Sequence, residues 1–187
     1  MKLWTIKTQA AYDYLLAHGR LATPQSLAYS DFADAYRWMA SQMVSRLGPP
    51  SDDESSPTWA WYQYTSEDRP RPDLRRTGHL PRGEVGYRIE LSIDSSECLL
   101  SDFETWHCVL NYSYLPTSEE DDERFDASIG NQLYSWNDLP PAPIDMEIRN
   151  SWTRIFDLDW YDEYVNFPRS QKAIQAVMWE IRLSDVR

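Results

Sequence analysis

The sequence is poor in cysteine and glycine and has no long apolar run. Its two cysteines, Cys98 and Cys108, form no C-x-x-C pair, and a chain of 187 residues buries enough surface to fold without disulfides. Both thiols are expected to be reduced, one of them buried. The three histidines, His18, His79 and His107, lack metal-ligand spacing, so no bound metal is expected. The six glycines are spread out, with neither a G-x-G-x-x-G nor a Walker phosphate loop. No apolar stretch approaches the roughly 18 residues of a membrane span, so no membrane association is expected. Met1-Lys2-Leu3-Trp4-Thr5 runs straight into strand-like sequence without a signal-peptide pattern, which predicts a cytoplasmic protein. Positive charge is scarce as well: 18 Lys and Arg stand against 30 Asp and Glu, for a net charge of −12. Phosphate backbones repel such a chain on average, so nucleic acid would need a local basic patch.

What is abundant is aromatic: nine tryptophans and twelve tyrosines. Tryptophan serves cores and clefts alike. Aromatics at successive strand positions cannot all face inward, so some are expected to line a surface or a cleft. The acid is concentrated in two runs, Asp52-Asp53-Glu54 and Glu119-Glu120-Asp121-Asp122-Glu123, which read as solvated loops.

Periodicity predicts the elements. Leu3 to Lys7 reads as a strand. Thr8 caps a helix with Ala11, Tyr12, Leu15 and Leu16 on one face, ending at Gly19. A second helix runs from Ser30 or Asp31 to Leu47, with Phe32, Ala35, Tyr36, Met39, Met43 and Leu47 in its stripe and Trp38 outside it. Gly48-Pro49-Pro50 stops it. Thr58 to Tyr64, Tyr87 to Ile93 and Cys98 to Leu100 read as strands. Ser101 and Glu104 match a capping box for a helix carrying Phe103, Trp106, His107 and Leu110. Residues 116 to 147 read as irregular, and Ser151 as the cap of a short helix. Ile174 to Leu183 fits helix or strand, with β-branched and aromatic content favouring a strand from Ala176. The order predicts an α+β fold: one domain over residues 1–187, with a single core and a mixed or antiparallel sheet packed by helices. Phe32, Tyr36, Met39, Met43, Ile89 and Leu91 are expected to be buried.

Three constellations could carry chemistry. Arg69, Arg71, Arg75, Arg76, Arg82 and Arg88 cluster with His79 and with Tyr62, Tyr64 and Tyr87. Guanidinium forks bind phosphate and aromatic rings stack on bases, so this island suits a nucleotide, another anionic ligand or nucleic acid through the Arg69–Arg88 patch. Surface ion pairing with Glu67, Asp68 and Asp73 is the plainer reading. Within the cluster, Pro72 shapes Arg71-Pro72-Asp73-Leu74-Arg75 into a defined loop. Asp73 can hold one arginine and leave the other for a ligand, beside an aromatic from Trp59 to Tyr64. The second constellation is Ser101, Asp102, Trp106, His107 and Asn111, explained mainly by capping and core, with His107 and Asn111 as further cleft candidates. The third is Gln175 to Glu180, whose amide and carboxylate could orient a sugar hydroxyl and stabilise a developing cation.

Several segments together carry a resemblance: Leu3-Trp4-Thr5-Ile6, Asp31-Phe32-Ala33-Asp34-Ala35-Tyr36, Pro57-x-Trp59-Ala60-Trp61-Tyr62, Arg71-Pro72-Asp73-Leu74-Arg75, Leu99-Leu100-Ser101-Asp102-Phe103, Ser151-Trp152 and Gln175-Ala176-x-x-Trp179-Glu180. The chain resembles an uncharacterised bacterial family of small proteins, catalogued as a domain of unknown function. A second resemblance is to the ADP-ribosyltransferase fold. It rests on a short strand, a helix ending in Gly19-Arg20-Leu21, further strands and a late Gln-Ala strand. That likeness implies NAD as cofactor and a bacterial toxin or defence effector as role. A first-strand residue, Trp4 or Thr5, would hold the ribose. Tyr62, Arg71 and Arg75 would bind the cofactor, and Gln175 and Glu180 would be catalytic. The sequence departs from that pattern in two places. Val177 stands near where those toxins carry glutamate, and Gln175 and Glu180 are an odd number apart, hence on opposite faces of a regular strand. The competing expectation is a non-enzymatic interaction module that binds a protein partner through a tryptophan-rich surface.

Overall fold

The computed structural model describes residues 1–24, 30–52, 55–76, 78–130 and 132–187. Asp53 and Glu54 of the first acidic run lie outside them. Strand β1 (Lys2–Thr8) leads into helix α1 (Gln9–His18), where the Thr8 hydroxyl accepts from the Ala11 amide. The chain turns at Gly19 into β2 (Arg20–Pro24), and a 3-10 turn at Ser30–Phe32 precedes α2 (Ala33–Leu47). Then come β3 (Ser55–Ser56), β4 (Thr58–Gln63), β5 (Gly86–Ser92), β6 (Leu99–Asp102) and α3 (Phe103–Leu110). Helices α4 (Glu119–Ile129) and α5 (Ala142–Ser151) follow, and β7 (Ile174–Met178) and β8 (Glu180–Arg182) close the chain.

The fold is α+β. Five strands form an antiparallel sheet in the order β5-β1-β4-β7-β6, and β3-β2-β8 form a second, smaller one. The register sets one transverse row across the large sheet. Glu90 lies opposite Trp4, Trp4 opposite Trp61, Trp61 opposite Gln175, and Gln175 opposite Ser101. Directly paired residues share a face, so these five point the same way. Leu3, Ile89, Leu91, Ala60 and Ala176 point the other way, into a core with Leu15 of α1 and Ile181 of β8. On the row's own side, Val177 joins a second core built from Ala35, Trp38, Met39 and Met43 of α2 with Trp106 and Trp152. The expected single core is thus two clusters, one on each face of a shared sheet.

Several sequence expectations are corrected. Residues 116 to 147 are largely helical. The run Glu119–Asp122 is the first turn of α4, where carboxylates complement the positive end of the helix and Ser118 Oγ accepts from the Asp121 amide. The proline-rich segment opens α5, since proline is tolerated in a first helical turn. Asp102, not Ser101, caps α3, accepting from the Glu104 amide at 3.0 Å. Ser151 ends α5 and directly precedes the expected short helix, a 3-10 turn over Trp152–Phe156, but its side chain makes no capping bond there: the hydroxyl donates to Ile148 O at 2.6 Å. Phe32 is 37% exposed because it sits in the 3-10 turn, Tyr36 is half-buried and Leu16 is exposed. Trp38 is core, edge-on to Trp152 at 5.5 Å. The last segment is two strands of two sheets. All nine tryptophans are buried or half-buried, and Trp4, Trp59 and Trp61 are among those that border open spaces.

One ion pair is buried in the frame. Lys172 Nζ lies 3.2 Å from Asp102 Oδ2, with the two side chains 1% and 3% exposed. Lys172 also donates to Trp160 O at 2.8 Å, and Gln63 Nε2 donates to the carbonyls of Lys172 and Arg169 at 2.7 and 2.9 Å. Removing one partner of such a pair leaves a buried charge alone, so Lys172→Met should lower stability by about 3–5 kcal/mol in urea titrations. Adding Asp102→Asn should recover part of this, because asparagine still caps α3 and carries no charge. A double variant no more stable than the single one would show that Asp102 is not left stranded.

Candidate functional site

The residue connection between β4 and β5 folds back over the row-bearing face of the sheet. Its root is a narrow loop: the Tyr64 amide donates to Pro70 O at 3.0 Å and the Thr65 amide to Arg69 O at 3.3 Å. Arg88, on β5, donates to Pro72 O at 2.6 Å and so ties the loop to the sheet. His79 Nε2 donates to Asp73 O at 3.1 Å. At the far end Gly86 is required by close approach, because a Cβ there would stand 2.6 Å from Lys7 O and 2.3 Å from Leu80 Cδ1.

Between this connection and the strands lies a groove of about 700 Å³. Its floor is Trp4 and Glu90, two members of the transverse row, flanked by Lys2 and Arg88. The connection contributes Tyr64, Arg69, Arg71, Asp73, Arg75 and Arg76. Six cationic side chains and three carboxylates line it, in a chain of net charge −12. The two loop arginines differ. Arg75 is forked onto Asp73, with Nε 2.9 Å from Oδ1 and Nη2 2.6 Å from Oδ2. Arg71 makes no ion pair or side-chain hydrogen bond among the described residues. Asp73 thus holds one of the two arginines, and the other lines the same groove as Tyr64. Glu90 pairs with Lys2 at 2.8 Å.

Next to the groove is a cleft of about 520 Å³ walled by Trp61, Tyr64, His79, Phe103 and Phe167. Tyr64 and Thr65 line both spaces. A third, smaller space of about 340 Å³ opens beside Trp61 and His79, against Thr5, Lys7 and Tyr36. Burial lowers the Lys7 ammonium from its ordinary range. Gly78, at φ +96, borders both of these clefts in a backbone conformation that side-chain-bearing residues rarely adopt.

The other expected site residues are not gathered there. Thr5 is buried and spends its hydroxyl on Trp59 O at 3.0 Å, so of the two first-strand candidates Trp4 is the one in the groove. Tyr62 faces the opposite core. Gln175 lies in the row beyond Trp61, its Oε1 buried and without a hydrogen-bond partner among the described residues, as is the neighbouring Ser101 Oγ. Glu180 is on β8 in the small sheet, 3.1 Å from Arg182 and 3.7 Å from Arg20, and lines none of these spaces. His107 is exposed on α3, with Nδ1 3.0 Å from Phe103 O, while Asn111 bonds His107 O at 2.9 Å as the helix ends. Both cysteines are free. Burial first, then the nearby Asp122 and Asp102 charges, push the Cys108 thiol up to about 11, which removes it as a nucleophile near neutrality. Glu90 and Phe103 are the site residues that sequence spacing did not single out for this groove and cleft, whereas His79 already groups with the arginines in the sequence. The alternation of the β5 strand placed Glu90 and Arg88 on its polar face and was the available signal.

Asp73 is held well below the usual carboxylate range, first by its side-chain bonds to Arg75 and then by the Arg75 amide. A lowered carboxyl contributes its interaction fully above its ordinary titration and loses it only as pH falls through the lower, folded value. The Arg75 amide resonance should therefore stay fixed from neutrality down through about pH 4, the ordinary aspartate range, and move only in stronger acid. A midpoint near the ordinary value would show that the fork does not persist in solution.

A family model described as Domain of unknown function (DUF3841) matches residues 2–187. No curated protein and no solved structure matches the chain. Among the described residues, no helix is long and apolar enough to cross a membrane.

Proposed function

The chain belongs to the DUF3841 family, and we propose that it binds a nucleotide, with NAD as the first candidate, through the groove between Arg71, Tyr64 and the first strand. One observation carries this reading: an arginine with no side-chain partner among the described residues shares a cationic groove with an aromatic ring in a strongly acidic chain. A guanidinium presents paired donors to phosphate oxygens, and the surrounding cations concentrate an anion there against the charge of the whole molecule. Lys2 and Arg76 add charge, while Arg88 and Arg75 are committed to the loop itself.

ADP-ribosyl transfer is the reaction this ligand would serve. Breaking the nicotinamide–ribose bond develops positive charge on the ribose, which a nearby carboxylate stabilises. Glu180 is not placed for that role, because it lies in the small sheet between Arg182 and Arg20. Glu90, on the groove floor, is the carboxylate that supports the reading.

Calorimetric titration with NAD should show binding that weakens with added salt. Arg71→Lys should weaken it about tenfold, because an ammonium cannot reproduce the fork. Thermal melting of the variant should be unchanged, since Arg71 has no side-chain partner among the described residues. Unchanged binding with a lowered melting temperature would make the loop a brace and overturn the reading. Incubation with labelled NAD and lysate, comparing Glu90→Gln with Glu180→Gln, tests the reaction. Label transfer lost only in Glu180→Gln would refute the assignment of Glu90.

A further inference from the structure

We infer that the aromatic cleft beside the groove is the base pocket of the same ligand, and that it selects a base carrying an exocyclic amine, as adenine does. This rests on the reading of the groove as the phosphate site. The two spaces are adjoining compartments, because Tyr64 and Thr65 form a wall of each. A ligand with phosphate in the groove therefore directs its other end along Tyr64 into the cleft.

The walls there suit a flat ring. Trp61 stands edge-on to Tyr64 at 4.9 Å and near-perpendicular to Phe103 at 5.1 Å, and Tyr64 meets His79 at 5.4 Å. Rings that meet each other by their edges leave faces free for a third ring to stack upon. Phe167, 53% exposed, offers a further aromatic surface across the cleft. Such an opening would hold any base, and its polar lining decides which.

Besides Tyr64, Thr65 and His79 of the connection, two polar side chains border the cleft from opposite elements, Glu104 in α3 and Gln171 ahead of β7. The side chain of neither bonds another group among the described residues. A carboxylate accepts and never donates, so Glu104 favours a base edge that offers N–H groups and disfavours one that offers a carbonyl. Adenine presents an exocyclic amine where hypoxanthine presents an oxygen.

The test titrates the full chain with four probes: pyrophosphate, ribose 5-phosphate, AMP and IMP. AMP should bind at least about tenfold more tightly than ribose 5-phosphate, because only AMP brings a stacking ring. IMP should fall about tenfold below AMP, and Glu104→Gln should reduce that gap to about threefold or less, since an amide can also donate. Phe103→Leu should weaken AMP and leave pyrophosphate unchanged, with circular dichroism melting to check the fold of each variant. If pyrophosphate binds but AMP equals ribose 5-phosphate, the cleft is not a base pocket and the groove reading survives. If AMP and IMP bind alike to the unaltered chain, the amine selection is wrong. If pyrophosphate fails to bind and Arg71→Lys leaves AMP unaffected, the groove reading itself falls.

Discussion

The site depends on the buried Lys172–Asp102 pair. The two charges sit 3.2 Å apart and almost wholly out of water. A buried pair is expensive to form, and its worth lies less in net stability than in the single geometry that satisfies it. Here that geometry ties three elements at one point. Asp102 ends β6 and caps α3 with its other oxygen. Lys172 precedes β7 and reaches Trp160 O. Gln63, at the end of β4, bonds the carbonyls of Lys172 and Arg169. Phe103 and Glu104 follow directly from one partner of the pair, and Phe167, Gln171 and Ala173 flank the other. The walls of the aromatic cleft are thus fixed by a charge pair that lies outside it.

The cationic groove is a local exception in an acidic molecule, and its construction explains how it survives. Arg88 is turned inward onto Pro72 O, and Arg75 is neutralised by Asp73. Both shape the loop, but only the Arg75 charge is balanced by a carboxylate; Arg88 keeps its positive charge on a neutral carbonyl. Arg71 is exposed and has no side-chain partner among the described residues, and Arg76 lies 6.0 Å from the Tyr64 ring. Meanwhile four carboxylates crowd the first turn of α4, where the helix dipole compensates them. Asp121 shows the compensation: burial alone would raise its carboxyl, yet bonds from the Thr117 amide, Arg124, Tyr114 and the Thr117 hydroxyl lower it to about 2. The acid on α4 is thus satisfied locally, whereas the groove keeps Arg71 without a carboxylate partner among the described residues.

Strands and the α2 stripe were legible because their buried faces repeat at two or at three and four residues. Met39, Met43, Ile89 and Leu91 are buried for that reason. The Arg71–Arg75 loop was legible too, since proline and an aspartate between two arginines constrain each other locally. Helix α4 was not, because Phe125 is its one buried side chain and its caps and charge carry it. Nothing in the sequence marks Lys172, whose partner lies seventy positions away. The row Glu90–Trp4–Trp61–Gln175–Ser101 was hidden for the same reason. It exists only in the strand order β5-β1-β4-β7-β6, which does not follow the chain.

The separation of Gln175 from Glu180 shows how topology decides chemistry that spacing leaves open. Five residues apart on one strand, they would face opposite ways. The chain instead leaves the large sheet at Met178 and enters the small one at Glu180, pivoting on Trp179. The Trp179 indole donates to Gly48 O at 2.9 Å, and Thr58 Oγ1 lies 3.5 Å from its carbonyl oxygen, so the pivot is fixed from two sides. Glu180 then falls between two arginines, while Gln175 stays in the row that also carries Trp4 and Glu90. Of the three carboxylates that line the groove, Asp73 is forked onto Arg75, Asp68 is on the loop, and Glu90 is the one that belongs to that row. Its partner Lys2 is 59% exposed, and a pair so open to water contributes little. A ligand that develops positive charge in the groove can therefore compete with Lys2 for Glu90, which it could not do for a carboxylate locked as Asp102 is.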